Sequence, residues 1–175
     1  KKCNGEALTV PFSVAGFKIS SFLLEHSLPS NVRQLYFGTN IQSLGTQGYP
    51  LFGRANSVEE AFVAPGNRLI SSQDGVIYHG TGTNVYYIPT AIRRLVLKPM
   101  KVIGKNTVYD KPNLEEVVIS EGTTTVEDYA FESCPSLKRV YVPQSVTNFS
   151  KDAIYRCSDD VEILRVSTGI HHVTM

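Results

Sequence analysis

Leu114-Glu115-Glu116-Val117-Val118-Ile119 is followed 23 residues later by Leu137-Lys138-Arg139-Val140-Tyr141-Val142. Both stretches read apolar-x-x-apolar-x-apolar. The same template fits residues 32–37, 58–63, 92–97 and 161–166, with steps between starts of 26, 34, 22, 23 and 24 residues. The second half of each unit repeats as well. Val142-Pro143-x-x-Val146-x-x-Phe149 is matched by Val10-Pro11-x-x-Val14-x-x-Phe17, and Ala130-Phe131-x-x-Cys134 by Ala153-Ile154-x-x-Cys157. One coil of this kind cannot bury its apolar edge alone. Stacked coils bury a continuous core. Template positions one, four and six supply it, with Val117, Ile119, Val140 and Val142 on the strand side and Val126, Phe131 and Phe149 on the return side.

A period in the low twenties with one short strand per coil indicates a leucine-rich repeat solenoid. The expected fold is mainly β: one parallel sheet along one face, short helical or irregular return segments, and an inserted β-hairpin. The whole chain, 1–175, reads as a single repeat domain. Its parts are a partial coil 1–31, repeats 32–57, 58–91, 92–113, 114–136 and 137–160, and a terminal strand 161–166. The unit starting at Ile92 is one residue short, and Thr107-Val108 stands where Ala-Phe is expected. The long unit carries an insertion at 76–88. Val76-Ile77-Tyr78-His79 and Val85-Tyr86-Tyr87-Ile88 are β-rich runs joined by a Gly-containing spacer, the pattern of a hairpin, and Asp74-Gly75 before them is a turn signal.

These units resemble the BspA-type leucine-rich repeat proteins of bacterial surfaces and mucosal parasites. That family's unit runs Leu-x-x-Val-x-Ile-Pro-x-x-Val-x-x-Ile-x-x-x-Ala-Phe-x-x-Cys. Leu137 through Cys157 follows it with Pro143 at the Pro position and Ile154 in place of Phe. Leu114 through Cys134 has Ser120 in place of that Pro and Thr123 in place of the second Val. Asn67 through Tyr78 is similar to the family's interrupting hairpin, and Ile88-Pro89 to its close. The resemblance implies a non-enzymatic, protein-binding module of a cell-surface or secreted protein, with adhesion to extracellular matrix or host surface proteins as the usual role. It carries over no binding residue. An intracellular scaffold module and a structural spacer of a larger protein are the alternatives.

Composition excludes other classes. Lys plus Arg is 17 against 16 Asp plus Glu, a net charge of +1 without the basic excess of a nucleic-acid binder. No apolar run approaches the roughly 18 residues of a membrane-spanning segment. The chain begins with Lys, and no signal peptide is recognisable. Cys3, Cys134 and Cys157 are too few for a disulfide framework or zinc site. Cys134 and Cys157 fall at equivalent repeat positions, either as buried reduced thiols or as a bridge between coils. His26, His79, His171 and His172 show no metal spacing, and no nucleophile elbow, phosphate loop or dinucleotide motif occurs. No catalytic residue, metal ligand or cofactor site is therefore expected.

The candidate sites lie on the strand face and the hairpin. Position two reads Arg33, Glu59, Arg93, Glu115, Lys138, Glu162, and position three Gln34, Glu60, Arg94, Glu116, Arg139, Ile163. Neighbours in a column are cross-strand partners, so the alternating signs read as inter-rung ion pairs, with a ligand-binding role as the alternative. The bases of one coil (Arg93, Arg94, Lys98, Lys101, Lys105, Lys111) could take a polyanion, but the acidic coil beside them damps the field. Position five reads Tyr36, Phe62, Val96, Val118, Tyr141, Arg165, apolar where solvent is expected. Tyr36, Phe62, Val96, Val118 and Tyr141 are therefore the candidate protein-binding strand face. Tyr78, Tyr86 and Tyr87 on the hairpin are candidate contacts, against the alternative that one hairpin face packs on the solenoid.

Overall fold

Alternation within each template tail and a recurring coil bring equivalent residues of successive coils side by side in parallel register. The computed structural model describes residues 7–10, 13–14, 17–18, 31–41, 58–80 and 84–167. Expectations on Cys3, His26, His171, His172 and the spacer 81–83 lie outside them. The chain divides into two compact units, Lys1–Ala91 and Ile92–Met175.

The first unit holds β1 (Ala7–Val10), β2 (Ser13–Val14), β3 (Phe17–Lys18), β4 (Gln34–Phe37), β5 (Glu60–Val63), β6 (Ile70–Gln73), β7 (Val76–His79) and β8 (Val85–Tyr87). Parallel pairing in the order β1-β4-β5 matches Leu8 to Leu35 and Leu35 to Ala61. The expected hairpin is present as β7 paired antiparallel with β8, and β6 adds a third antiparallel strand before it. The Asp74-Gly75 turn joins β6 to β7 with φ of 51° and 75°, positive at both central residues as the right-handed twist of a two-residue hairpin prefers. The ribbon does not project. Ile70, Ile77 and Tyr87 enter one core with Val32, Leu35, Phe37, Ile41, Val58 and Ala61. Gly80 is required by close approach: a Cβ there would lie 2.8 Å from the carbonyl carbon of Leu69.

The second unit is a solenoid with three strands per coil. They are β9 (Arg94–Val96), β10 (Val102–Ile103), β11 (Val108–Tyr109), β12 (Glu116–Val118), β13 (Thr125–Val126), β14 (Phe131–Glu132), β15 (Arg139–Pro143), β16 (Asn148–Phe149), β17 (Ile154–Tyr155) and β18 (Glu162–Val166). Three parallel sheets result, β9-β12-β15-β18, β10-β13-β16 and β11-β14-β17. Leu95, Leu97, Leu114, Val117, Ile119, Val126, Phe131, Leu137, Val140 and Val142 are buried between them. Each such side chain contributes about 1.5–3 kcal/mol relative to exposure.

Three expectations change. The rung strands form two parallel sheets, one in each unit, because the chain leaves β5 into the antiparallel meander β6–β8. In the second unit the return halves are short parallel strands, and no helix occurs among the described residues. Phe149 is half-buried rather than core.

The register also explains the short coil. Val96 pairs Val118, a step of 22, but Val102 pairs Thr125, a step of 23. The missing residue therefore falls between Val96 and Val102, where the next coil turns through Gly122 at φ +93°. Thr107 does stand at the Ala130 position, and its hydroxyl is satisfied by donating to the Gly104 carbonyl at 2.7 Å.

Candidate functional site

The rung strands present alternate residues outward, so positions three and five share the strand face. Position three carries the charges. Arg94 Nε lies 3.3 Å from Glu116, and Arg139 reaches the other oxygen of Glu116 at 2.5 Å. In the neighbouring column Glu115 accepts from Arg93 at 2.8 Å and from Lys138 at 3.0 Å. In the first unit Arg33 pairs Glu59 at 3.5 Å, and Gln34 donates to Glu60 at 2.9 Å. The ion-pair ladder is thus in place, with Glu115, just before β12, and Glu116, its first residue, each held between two cations. Lys138 first, then Arg93, holds the Glu115 carboxyl below the usual carboxylate range, and Glu116 raises the Arg139 guanidinium.

The same contacts weaken the polyanion reading. Arg93 and Arg94 are spoken for, and Lys105 lies over the Tyr129 ring at 4.8 Å. Burial lowers the Lys111 ammonium, against the charge of Asp110.

Position five is the apolar column. Tyr36 and Phe62 are 37% and 36% exposed and lie opposite each other across β4 and β5. Their rings stack with centroids 5.1 Å apart and planes at 19°. Offset stacking of this kind adds about 0.5–1.5 kcal/mol beyond burial. Tyr36 donates its hydroxyl to Gln34 Oε1 at 3.2 Å, so its polar tip is tied to the charged column. In the second unit Val96 is 37% exposed, and Val118 and Tyr141 are half-buried beside it.

The last rung departs from the expected columns. Arg139 pairs Glu162, Val140 pairs Ile163, Tyr141 pairs Leu164 and Val142 pairs Arg165. Every residue of β18 is one position later than the template placed it. Leu164, not Arg165, continues the apolar column, and Glu162, not Ile163, continues Arg94-Glu116-Arg139. Carrying the 23-residue step of the preceding coil one rung further finds this register.

The hairpin tyrosines divide. Tyr78 and Tyr87 are buried, so the expectation that they offer contact surface is corrected. Tyr87 donates to the Val58 carbonyl at 2.6 Å. Its phenol is pushed up by burial and by the Glu59 charge. Tyr86 is half-buried, packed against the first unit's core, with its ring 5.9 Å from His79.

A cluster on the return side has no counterpart among the expected sites. Tyr129 and Tyr155 meet edge to face at 5.0 Å, and Arg156 lies 5.3 Å over the Tyr155 ring. Tyr129 and Arg156 lie in loops and Tyr155 ends β17, all outside the apolar template, so the sequence pattern does not mark them. Among the described residues no cluster of His, Cys, Asp and Glu is placed to hold a metal ion, and no helix is long and apolar enough to cross a membrane.

Parallel coils with one outward strand each define a leucine-rich repeat β-solenoid. The profile described as BspA type Leucine rich repeat region matches residues 84–173 in 6 copies. That span is just over half of the chain, and the chain belongs to this family. A leucine-rich repeat protein from Eubacterium ventriosum shares 18% identity at a TM-score of 0.56, over 78% of this chain and 37% of that one. The pneumococcal vaccine antigen PcpA shares 18% identity at a TM-score of 0.50, over 78% of this chain and 43% of that one. The chain spans less than half the length of either, and the likeness shows the fold. No curated protein matches the sequence.

Proposed function

We propose that this chain is a non-catalytic protein-binding segment of a cell-surface or secreted protein, and that it adheres to extracellular matrix or host surface proteins. The observation that carries the reading is the exposed Tyr36–Phe62 stack on the outward face of the first unit's parallel sheet. Water gains nothing from two exposed, stacked rings, and a protein partner that covers them gains their apolar area. Beside them Arg33 pairs Glu59 and the Glu60 carboxylate accepts from the Gln34 amide, so these columns position a partner more than they attract it. Membership in the BspA-type family supports protein interaction, and a structure of the same fold is a vaccine antigen.

The test is retention on immobilised fibronectin, laminin and fibrillar collagen, with the parent chain and the double variant Y36S/F62S. Retention of the parent on at least one matrix protein, reduced about tenfold or more in the variant while circular dichroism shows it folded at the assay temperature, is expected; this corresponds to losing part of a hot spot. Equal retention of parent and variant removes the strand face from the reading. No retention of the parent removes matrix adhesion.

A further inference from the structure

The turn that closes each coil of the second unit is repeated with unusual fidelity. Asp110, Ser133 and Arg156 all adopt left-handed backbone, with φ of 52°, 58° and 51°. Each is followed by the residue that turns inward: Lys111, Cys134 and Cys157. Phe131 pairs Ile154 and Glu132 pairs Tyr155, and the Ser133 amide donates to the Tyr155 carbonyl at 3.0 Å. The two coils are therefore in register up to the residue before each cysteine.

The two sulfurs sit in superposable surroundings. Cys134 Sγ donates to the Glu132 carbonyl at 3.5 Å and approaches the Val108 carbonyl at 4.0 Å. Cys157 Sγ makes the equivalent contacts, to Tyr155 at 3.4 Å and Phe131 at 3.5 Å. One rung of about 4.8 Å separates such positions in a parallel sheet. A disulfide needs Cα atoms roughly 4.4–6.8 Å apart. The thiols also differ in access: Cys134 is buried and Cys157 half-buried.

We propose that Cys134 and Cys157 form an oxidisable dithiol that closes into a disulfide between consecutive coils when a low-molecular-weight disulfide is supplied. The Cys157 thiolate attacks one sulfur of the reagent R–S–S–R. That bond breaks, one R–S⁻ leaves, and a mixed disulfide forms on Cys157. Cys134 gives up its proton to solvent and attacks Cys157 Sγ, expelling the second R–S⁻. Both leaving thiolates take up protons, so two protein thiols are oxidised and one R–S–S–R is reduced to two R–SH. Cys157 is the entry sulfur because it is the more exposed and the more acidic: its pKa is lowered to about 7, chiefly by the neighbouring Cys134 thiol. The Cys157 thiol and burial raise Cys134, with Lys111 opposing.

The test uses the full chain carrying Cys3→Ser, so that two thiols remain. Folded protein is equilibrated with oxidised glutathione, quenched with N-ethylmaleimide and weighed intact. Loss of both maleimide labels, a product two hydrogens lighter with no glutathione attached, and a tryptic cross-link between the two cysteine peptides are expected. C134A in the same background should accumulate stable glutathione on Cys157, and C157S should leave Cys134 unmodified. Glutathione persisting on Cys157 with Cys134 still labelled, or both thiols still labelled, overturns the proposal. So does glutathione appearing on Cys134 in C157S.

Discussion

Within the first unit, Tyr87 ties the meander to the chain just before β5 with a single hydroxyl, donated to the Val58 carbonyl. Tyr87→Phe leaves that carbonyl without its donor in a buried place, at a cost of about 1–3 kcal/mol. Urea denaturation at neutral pH should show the loss, and an unchanged midpoint would remove the bond from the stability account. A second residue-scale outcome concerns Cys157. With its pKa near 7, its rate of alkylation by iodoacetamide should reach half its maximum near that pH, below the ordinary thiol value of 9.0. C134A removes the neighbouring thiol that lowers it and should move the midpoint upward; a profile unmoved by C134A would mean that another group sets the acidity. Side-chain placement at this scale was only partly legible. Position five was read as outward, and Tyr36, Phe62 and Val96 are exposed there, but on the last rung Arg165 was placed where Leu164 stands. Tyr78 was not read as buried, because β7 is covered on both faces and strand alternation has no meaning there.

At the scale of the element, the ladder on β12 is the clearest test. Reversing both charges, E115K/E116K, sets four cations beside β12 where there were four attractive contacts. The variant should melt below the parent at low salt, and added salt should recover part of the difference, since exposed charges are screened. A variant that melts with the parent in low salt would refute a stabilising role for the ladder. The acid limb follows from Glu115, whose folded pKa lies below the ordinary 4.5. Its contribution is fully present above that ordinary value and is lost as pH falls through the lower folded one. Thermal melts of parent and E115Q should therefore converge in acid, below the carboxylate range. Columns two and three were legible between Arg93 and Arg139 because charge sign and the apolar template agreed. The final rung was not, since Val161-Glu162-Ile163-Leu164-Arg165-Val166 satisfies the apolar template in one register while the ladder selects another.

Across the whole molecule the repeat itself was the readable quantity, since one apolar template recurs with little change in length. The return sheets were not, because strands of two residues, such as Phe131–Glu132, show no periodicity of their own. Phe131 nonetheless anchors them, fully buried between Val108 and Ile154 in the same column. Phe131→Ala should cost about 3–5 kcal/mol in denaturant unfolding. In a quasi-one-dimensional stack the loss should reach the adjacent coils first. Hydrogen exchange should therefore quicken at Val108 and Ala153, and a response confined to residue 131 would contradict the shared core. The ladder has one more consequence. The backbone repeats with every coil, but the charge pattern repeats only with every second coil. Excising residues 114–136 would seat Arg94 beside Arg139, whereas excising 114–159 would seat Arg94 beside Glu162. Gain or loss of coils by recombination is thus favoured in even steps: the surface charge imposes a parity rule on copy number that the backbone does not.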